Sequence, residues 1–310
     1  MKGSCIGIEI GGSKLQLVRG DAEGRIQQRH RLPVDRQSGG IGIRRQIESV
    51  LKELIADAPP VAIGIGFGGP VDWRTGRIRV SHQIESWSGF ELGAWLKGLS
   101  GASVRVDNDA NVAALGEAQL GAGAGANPVF YVTLGSGVGG GLVVEGRIYH
   151  GASPGEAEIG HLRLDRSGTT VESRCSGWAV DARIRRLSSE NPDGALARAV
   201  HAETGAEARH LRAALEGQDA LAVSILDELS ADLAFALSHA THLFHPETIV
   251  LGGGLSLMGE PLKEALERQL PRFLMEVFRP GPALRLSALG DDAVPVGALL
   301  LAAGAGKRTG

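Results

Sequence analysis

Twice in this chain an apolar run breaks at a tip of glycine and small polar residues and then resumes as a second apolar run. The first is Ser4-Cys5-Ile6-Gly7-Ile8-Glu9-Ile10, then Gly11-Gly12-Ser13-Lys14, then Leu15-Gln16-Leu17-Val18. The second is Val129 to Leu134, then Gly135-Ser136-Gly137-Val138-Gly139-Gly140-Gly141, then Leu142-Val143-Val144. Short apolar runs on either side of a glycine-rich turn read as hairpins. A hairpin repeated at a spacing far beyond solenoid periods predicts two related lobes rather than an array. Gly135, Gly137 and Gly140 also satisfy G-x-G-x-x-G. That fingerprint requires a helix directly after it, and a second β-like run follows instead, which rules out a dinucleotide oxidoreductase.

Glycine is the abundant residue, 46 in all, and it clusters at Gly11-Gly12, Gly64 to Gly69, Gly135 to Gly141 and Gly252-Gly253-Gly254. Each cluster follows an apolar, strand-like run, where a missing side chain lets backbone approach a ligand. A tip of backbone N–H groups with a hydroxyl and an ammonium suits phosphate oxygens, and two such tips would clamp a polyphosphate. An ordinary hairpin turn is the competing reading of the first tip alone.

The third feature is Val104-Arg105-Val106-Asp107-Asn108-Asp109-Ala110-Asn111, a short strand ending in small polar residues that open an alanine-rich helix. Asn108 and Asp109 stand where side chains are held rigidly yet remain accessible. N-capping is the alternative for both, and Asn111 is a further capping candidate. Elsewhere the spacing predicts helices over 41–57, 90–99, 195–215 and 221–244, one beginning near Pro261, one near Val171, and a small-residue helix over 296–301 that packs back on the first lobe. Strands are expected at 61–67 and 248–251, and 72–81 reads as a polar excursion.

With 310 residues, 43% hydrophobic and 22% charged, the chain is long enough for two globular domains. A net charge of −3 gives no footprint for nucleic acid or an anionic membrane. Two cysteines are too few for a disulfide framework and fit a reducing compartment. No signal-peptide pattern and no run of about 20 apolar residues is present, so the expectation is a cytoplasmic protein without membrane or nucleic-acid partners.

In order along the chain, Glu9-Ile10-Gly11-Gly12-Ser13-Lys14, Gly64 to Asp72, Asn108 to Asn111, Thr133 to Gly141, Ala157-Glu158-Ile159-Gly160-His161 and Leu251 to Gly254 resemble the motifs of the ROK family. The resemblance covers essentially the whole chain. It implies an α/β protein of two similar lobes, of the actin-like ATPase (ribonuclease H-like) type, with an interlobe active-site cleft. The expected first lobe is 1–115 plus 296–310 and the second 116–295. The implied activity is ATP-dependent phosphorylation of a hexose hydroxyl, glucose first, with fructose, mannose and N-acylated hexosamines as relatives. Asp109 would be the general base. Gly69, Gln83, Asn108, Glu158, His161 and Glu172 would bind the sugar. Gly11, Gly12, Ser13, Lys14, Thr133, Gly135, Ser136 and Gly137 would hold phosphates, with Gly252, Gly253 and Gly254 near adenosine. ATP with magnesium is the implied cofactor and a homodimer the implied assembly. A sugar-responsive regulator, or a catalytically silent sugar-binding protein of the same fold, is the alternative; with the kinase-like strand beginning at Ser4, no DNA-binding domain is expected.

The chain departs from the family pattern in three places. The segment from Leu162 to Glu172 lacks the cysteines that would join His161 around zinc, so no structural zinc is expected. Glu9 stands where aspartate is usual, and Gln83 where a sugar-contacting asparagine is usual.

Overall fold

The computed structural model describes residues 3–12, 14–34, 38–80, 85–152, 157–203 and 205–304. The strands are β1 (Cys5–Ile10), β2 (Lys14–Gly20), β3 (Ile26–Pro33), β4 (Ala62–Phe67), β5 (Val71–Asp72), β6 (Arg77–Ile78), β7 (Ser103–Asn108), β8 (Val129–Leu134), β9 (Val138–Val144), β10 (Arg147–Ile148), β11 (Thr248–Gly252) and β12 (Ala283–Leu286). The helices are α1 (Gly39–Asp57), α2 (Leu92–Ser100), α3 (Asp109–Leu120), α4 (Val171–Cys175), α5 (Gly177–Glu190), α6 (Ala195–Ala202), α7 (Leu211–Glu216), α8 (Ala220–Phe244), α9 (Glu260–Gln269) and α10 (Ala293–Gly304).

The repeated hairpin predicted from the sequence opens two sheets of the same order. One runs β3-β2-β1-β4-β7 and the other β10-β9-β8-β11-β12. In the first, β1 pairs antiparallel with β2 and parallel with β4, and β4 pairs parallel with β7. In the second, β8 and β12 both lie parallel to β11. The segment read as a polar excursion from Asp72 overlaps the short antiparallel pair β5-β6, which begins one residue earlier at Val71.

The chain divides into a first unit of Met1–Gly125, Gly141–Ala157 and Leu289–Gly310, and a second of Ala126–Gly140 and Glu158–Ala288. These boundaries differ from the division expected at 115/116 and 295/296. Helix α3 runs on to Leu120, α10 begins at Ala293 rather than Val296, and β10 contacts α3, which draws 141–157 into the first unit.

Each face of the first sheet has its own chemistry, because side chains alternate along a strand. Ile6, Ile8, Ile63 and Ile65 meet Ile43, Ile47, Leu51 and Leu54 of α1 in one core. Gly7 and Gly64, paired across β1 and β4, lie on the other face under α10. A Cβ at Gly64 would stand 1.9 Å from the Ala298 carbonyl oxygen. Part of the Gly64 to Gly69 cluster, read as ligand-facing, therefore serves helix packing.

In the second unit, α8 is a 25-residue helix capped by Asp219, whose side chain accepts from the Ala222 amide. The helix expected over 195–215 is broken: α6 stops at Ala202, Gly205 takes φ +90, and a 3-10 turn at Glu207–His210 precedes α7. Such a φ favours glycine and ends helical periodicity that the apolar spacing alone would continue.

Candidate active site

In the first unit, β7 ends and α3 begins at Asn108. Its side chain caps the helix, accepting from the Ala110 amide at 2.9 Å and the Asn111 amide at 3.4 Å. Its Nδ2 donates to the Gly69 carbonyl at 3.3 Å, fixing that loop to the strand end. Asp109 is the first residue of α3, partly buried, and its Oδ1 accepts from the Ala110 amide at 2.9 Å. A Cβ at Gly68 would stand 3.3 Å from Asp109 Oδ2, so this loop passes close beside the carboxylate. Asn111 does not cap: it is buried and donates Nδ2 to Asp107 Oδ1 at 3.0 Å.

The first hairpin tip is closed by the Gly11 amide donating to the Lys14 carbonyl at 2.9 Å. Behind it stands a chain of polar side chains, of which the sequence reading singled out Glu9 and Lys14 but not Gln16, Arg31 or Asp291. Arg31 Nε donates to Gln16 Oε1 at 2.9 Å, and Gln16 Nε2 donates to Glu9 Oε2 at 2.7 Å. Lys14 Nζ meets Asp291 Oδ1 at 2.7 Å, just ahead of α10. Gln16 is fully buried between Leu15 and Leu17, and a polar residue inside an apolar run was the available signal. Burial pushes the Glu9 carboxyl up to about 7; Lys14 and Gln16 oppose this, while the charges of Asp109 and Asp291 add to it.

The sign of the consequence follows from linkage. A carboxyl raised on folding stabilises most below its unfolded value and loses that contribution as pH rises through about 7. Urea midpoints taken between pH 5 and 8 are expected to fall further with pH for the natural protein than for Glu9→Gln. Parallel profiles would refute the shift.

In the second unit, the Gly135 amide donates to the Gly137 carbonyl at 3.0 Å, tightening the second tip, and Ser136 is exposed at its apex. Thr133 pairs with Gly252 across β8 and β11. Gly253 has φ +80 and lies so close to Leu134 that a Cβ there would meet its backbone at 2.6 Å. Gly254 opens into space. Glu172, in the first turn of α4, accepts the Val138 amide on Oε2 at 2.9 Å, and a Cβ at Gly137 would come within 2.5 Å of that oxygen. Two residues expected to serve different ligands thus touch directly. Glu158 and His161, both exposed, form a pair at 3.8 Å around the 3-10 turn Ile159–His161. Ser13 and Gln83 lie outside the described residues.

A short hairpin joins that turn to α4. Leu164 donates to the Thr169 carbonyl at 2.8 Å and Val171 to the Leu162 carbonyl at 2.9 Å. Its bend is gathered on one oxygen: Asp165 Oδ1 accepts from Ser167 Oγ at 2.6 Å, Gly168 N at 2.9 Å and Thr169 N at 3.2 Å. The Ser167 hydroxyl, foremost among these donors, holds the carboxyl well below the usual range. Among the described residues, no three or more His, Cys, Asp or Glu side chains are grouped to hold a metal ion. No described helix is long and apolar enough to cross a membrane.

A family model described as the ROK family matches residues 5–305. The chain belongs to the ROK family. A glucokinase from Halalkalibacterium halodurans is 30% identical to this ROK chain over 306 residues, covering 94% of it and 92% of that protein. The structure of a ROK family glucokinase from Streptomyces griseus in complex with glucose and AMPPNP matches with a TM-score of 0.83 at 29% identity, over 97% of this chain and 99% of that one. The fold is that of the actin-like ATPases. A xylose repressor from Caldicellulosiruptor bescii is 21% identical, over 96% of this chain and 78% of its own length, so the ROK scaffold serves a regulator as well as kinases.

Proposed function

We propose that this ROK protein is an ATP-dependent sugar kinase acting on a hexose hydroxyl, with glucose the first candidate and Asp109 the general base. The observation that carries the reading is the corner at Asn108–Asp109, where one side chain caps α3 and grips Gly69 while the next presents a partly buried carboxylate. The likeness to the glucokinases supports the same reading.

Bound ATP with magnesium supplies the phosphoryl group and the positive charge that offsets it. The donor set suits a hard cation: the charge of Asp109 adds to the rise of the Glu9 carboxyl, so a cation would relieve both, and magnesium commonly takes only one or two protein carboxylates besides phosphates. Gly11, Gly12, Ser13 and Lys14 hold phosphate oxygens at the first tip, and Thr133, Gly135, Ser136 and Gly137 at the second. Gly252, Gly253 and Gly254 lie against the adenosine. Asn108, Gly69, Gln83, Glu158, His161 and Glu172 hold the sugar hydroxyls. Asp109 takes the proton from the hydroxyl that attacks phosphorus, a role that typically contributes about 10²- to 10⁴-fold.

ADP release from ATP and magnesium, measured across glucose, fructose, mannose and N-acylated hexosamines, tests the reading. Stimulation by at least one hexose is expected, strongest with glucose. Sugar binding without ADP release would favour the regulator or silent-binder alternative, to which the likeness to the xylose repressor lends weight.

We infer that Asp165, which closes the hairpin between His161 and Glu172, does there the work that a structural zinc would do. Asp165→Ala is expected to raise the sugar KM about fivefold. Asp165→Asn keeps the single oxygen that takes all three bonds and is expected to stay near the natural value. Equal defects in both variants, or stoichiometric zinc by metal analysis, would overturn this account.

A further inference from the structure

One carboxylate at the Asn108–Asp109 corner has no part in the proposed phosphoryl transfer. Asp107 is 2% exposed. Its Oδ1 accepts the Asn108 amide at 2.9 Å and Asn111 Nδ2 at 3.0 Å, so a single oxygen ties the end of β7 to the first turn of α3. Its Oδ2 stands 2.6 Å from His150 Nε2. An ionised carboxylate only accepts, so His150 Nε2 is the donor and the partner sets the tautomer.

The imidazole is itself held in plane. It stacks on Trp73 with ring centroids 4.1 Å apart and 13° between planes. Trp73 comes from the turn after β5 and His150 from the chain leaving β10, so segments far apart in sequence converge on one buried oxygen pair. All of them belong to the first unit. Short bonds to a buried carboxylate are charge-assisted, and loss of one donor leaves an oxygen dry and unpaired. The carboxylate would then turn, and Oδ1 would no longer reach the Asn108 amide and the Asn111 side chain together.

We propose that His150 is a positioning residue for the Asn108–Asp109 corner, acting through Asp107, with Trp73 fixing its ring. This differs from capping, which Asn108 performs with its own side chain. The structural half of the inference stands alone, and its kinetic half rests on the kinase reading.

Two measurements on the full chain test it. Backbone hydrogen exchange over residues 103–116 is expected to speed up about tenfold in His150→Ala, while exchange in α8 stays unchanged. His150→Gln, which keeps an N–H donor for Oδ2, is expected to return to within about threefold of the natural rate. In steady-state assays with the best sugar, His150→Ala is expected to lower kcat about tenfold with the sugar KM within threefold, and His150→Gln to recover most of kcat. Trp73→Ala is expected to show the same split more weakly.

Unchanged exchange in His150→Ala would overturn the inference. So would a glutamine variant as defective as the alanine one, because the donor would then be irrelevant. Faster exchange with kcat untouched would show that the corner's order does not govern turnover, and the kinetic half would fall. If the natural protein releases no ADP with any sugar, the kinase reading fails, and the exchange experiment alone decides whether His150 positions the corner.

Discussion

Asp109→Asn is expected to lower sugar-stimulated ADP release by about 10²-fold or more while the protein folds normally and still binds sugar. The substitution is nearly isosteric, and the amide retains the oxygen that accepts from the Ala110 N–H at 2.9 Å. The start of α3 therefore stays capped by Asn108, and the change falls on proton acceptance. The kinetic signature is a loss in kcat with the sugar KM close to the natural value. A variant with near-normal turnover would remove Asp109 from the role of base.

The second large effect concerns Gly297, in the middle of α10. In an exposed helix interior, glycine to alanine gains about 1 kcal/mol. Here the added Cβ would lie 1.8 Å from the Val112 carbonyl oxygen, and a Cβ at Gly116, on the facing helix, would lie 2.6 Å from the Ala293 carbonyl oxygen. Both obstacles are backbone in packed helices, so neither can swing aside. Overpacking outweighs propensity, and Gly297→Ala is expected to destabilise by about 3–5 kcal/mol. Gly98→Ala, in α2 with no atom within 4 Å of its Cβ, is the control and is expected to be neutral or slightly stabilising. Urea unfolding of the two variants beside the natural protein measures both, and a Gly297→Ala midpoint at or above the natural one would refute the close approach.

The repeated hairpin was legible in the sequence because a strand, a glycine tip and a second strand are encoded locally, and it accounts for the β1-β2 and β8-β9 neighbours in two sheets of common order. The strand-to-helix corner at Asn108–Asp109 was legible for the same reason. Gly7 and Gly64 were not, since their need for glycine comes from α10, more than two hundred residues away in the chain. His150 and Trp73 gave no signal, as a lone aromatic on a turn acquires meaning only when tertiary structure stacks it. The break after Ala202 was missed because apolar spacing continues through it while the backbone turns at Gly205.

The three-piece make-up of the first unit bears on how the protein is synthesised. By Gly125 the ribosome has released all of the first sheet, yet the groove of glycines on one face stays open until α10 arrives at Ala293–Gly304. The second unit, complete at Ala288, emerges whole before that helix does. Chain order thus has the later-encoded unit finishing first, and the first unit is sealed only when α10 follows it.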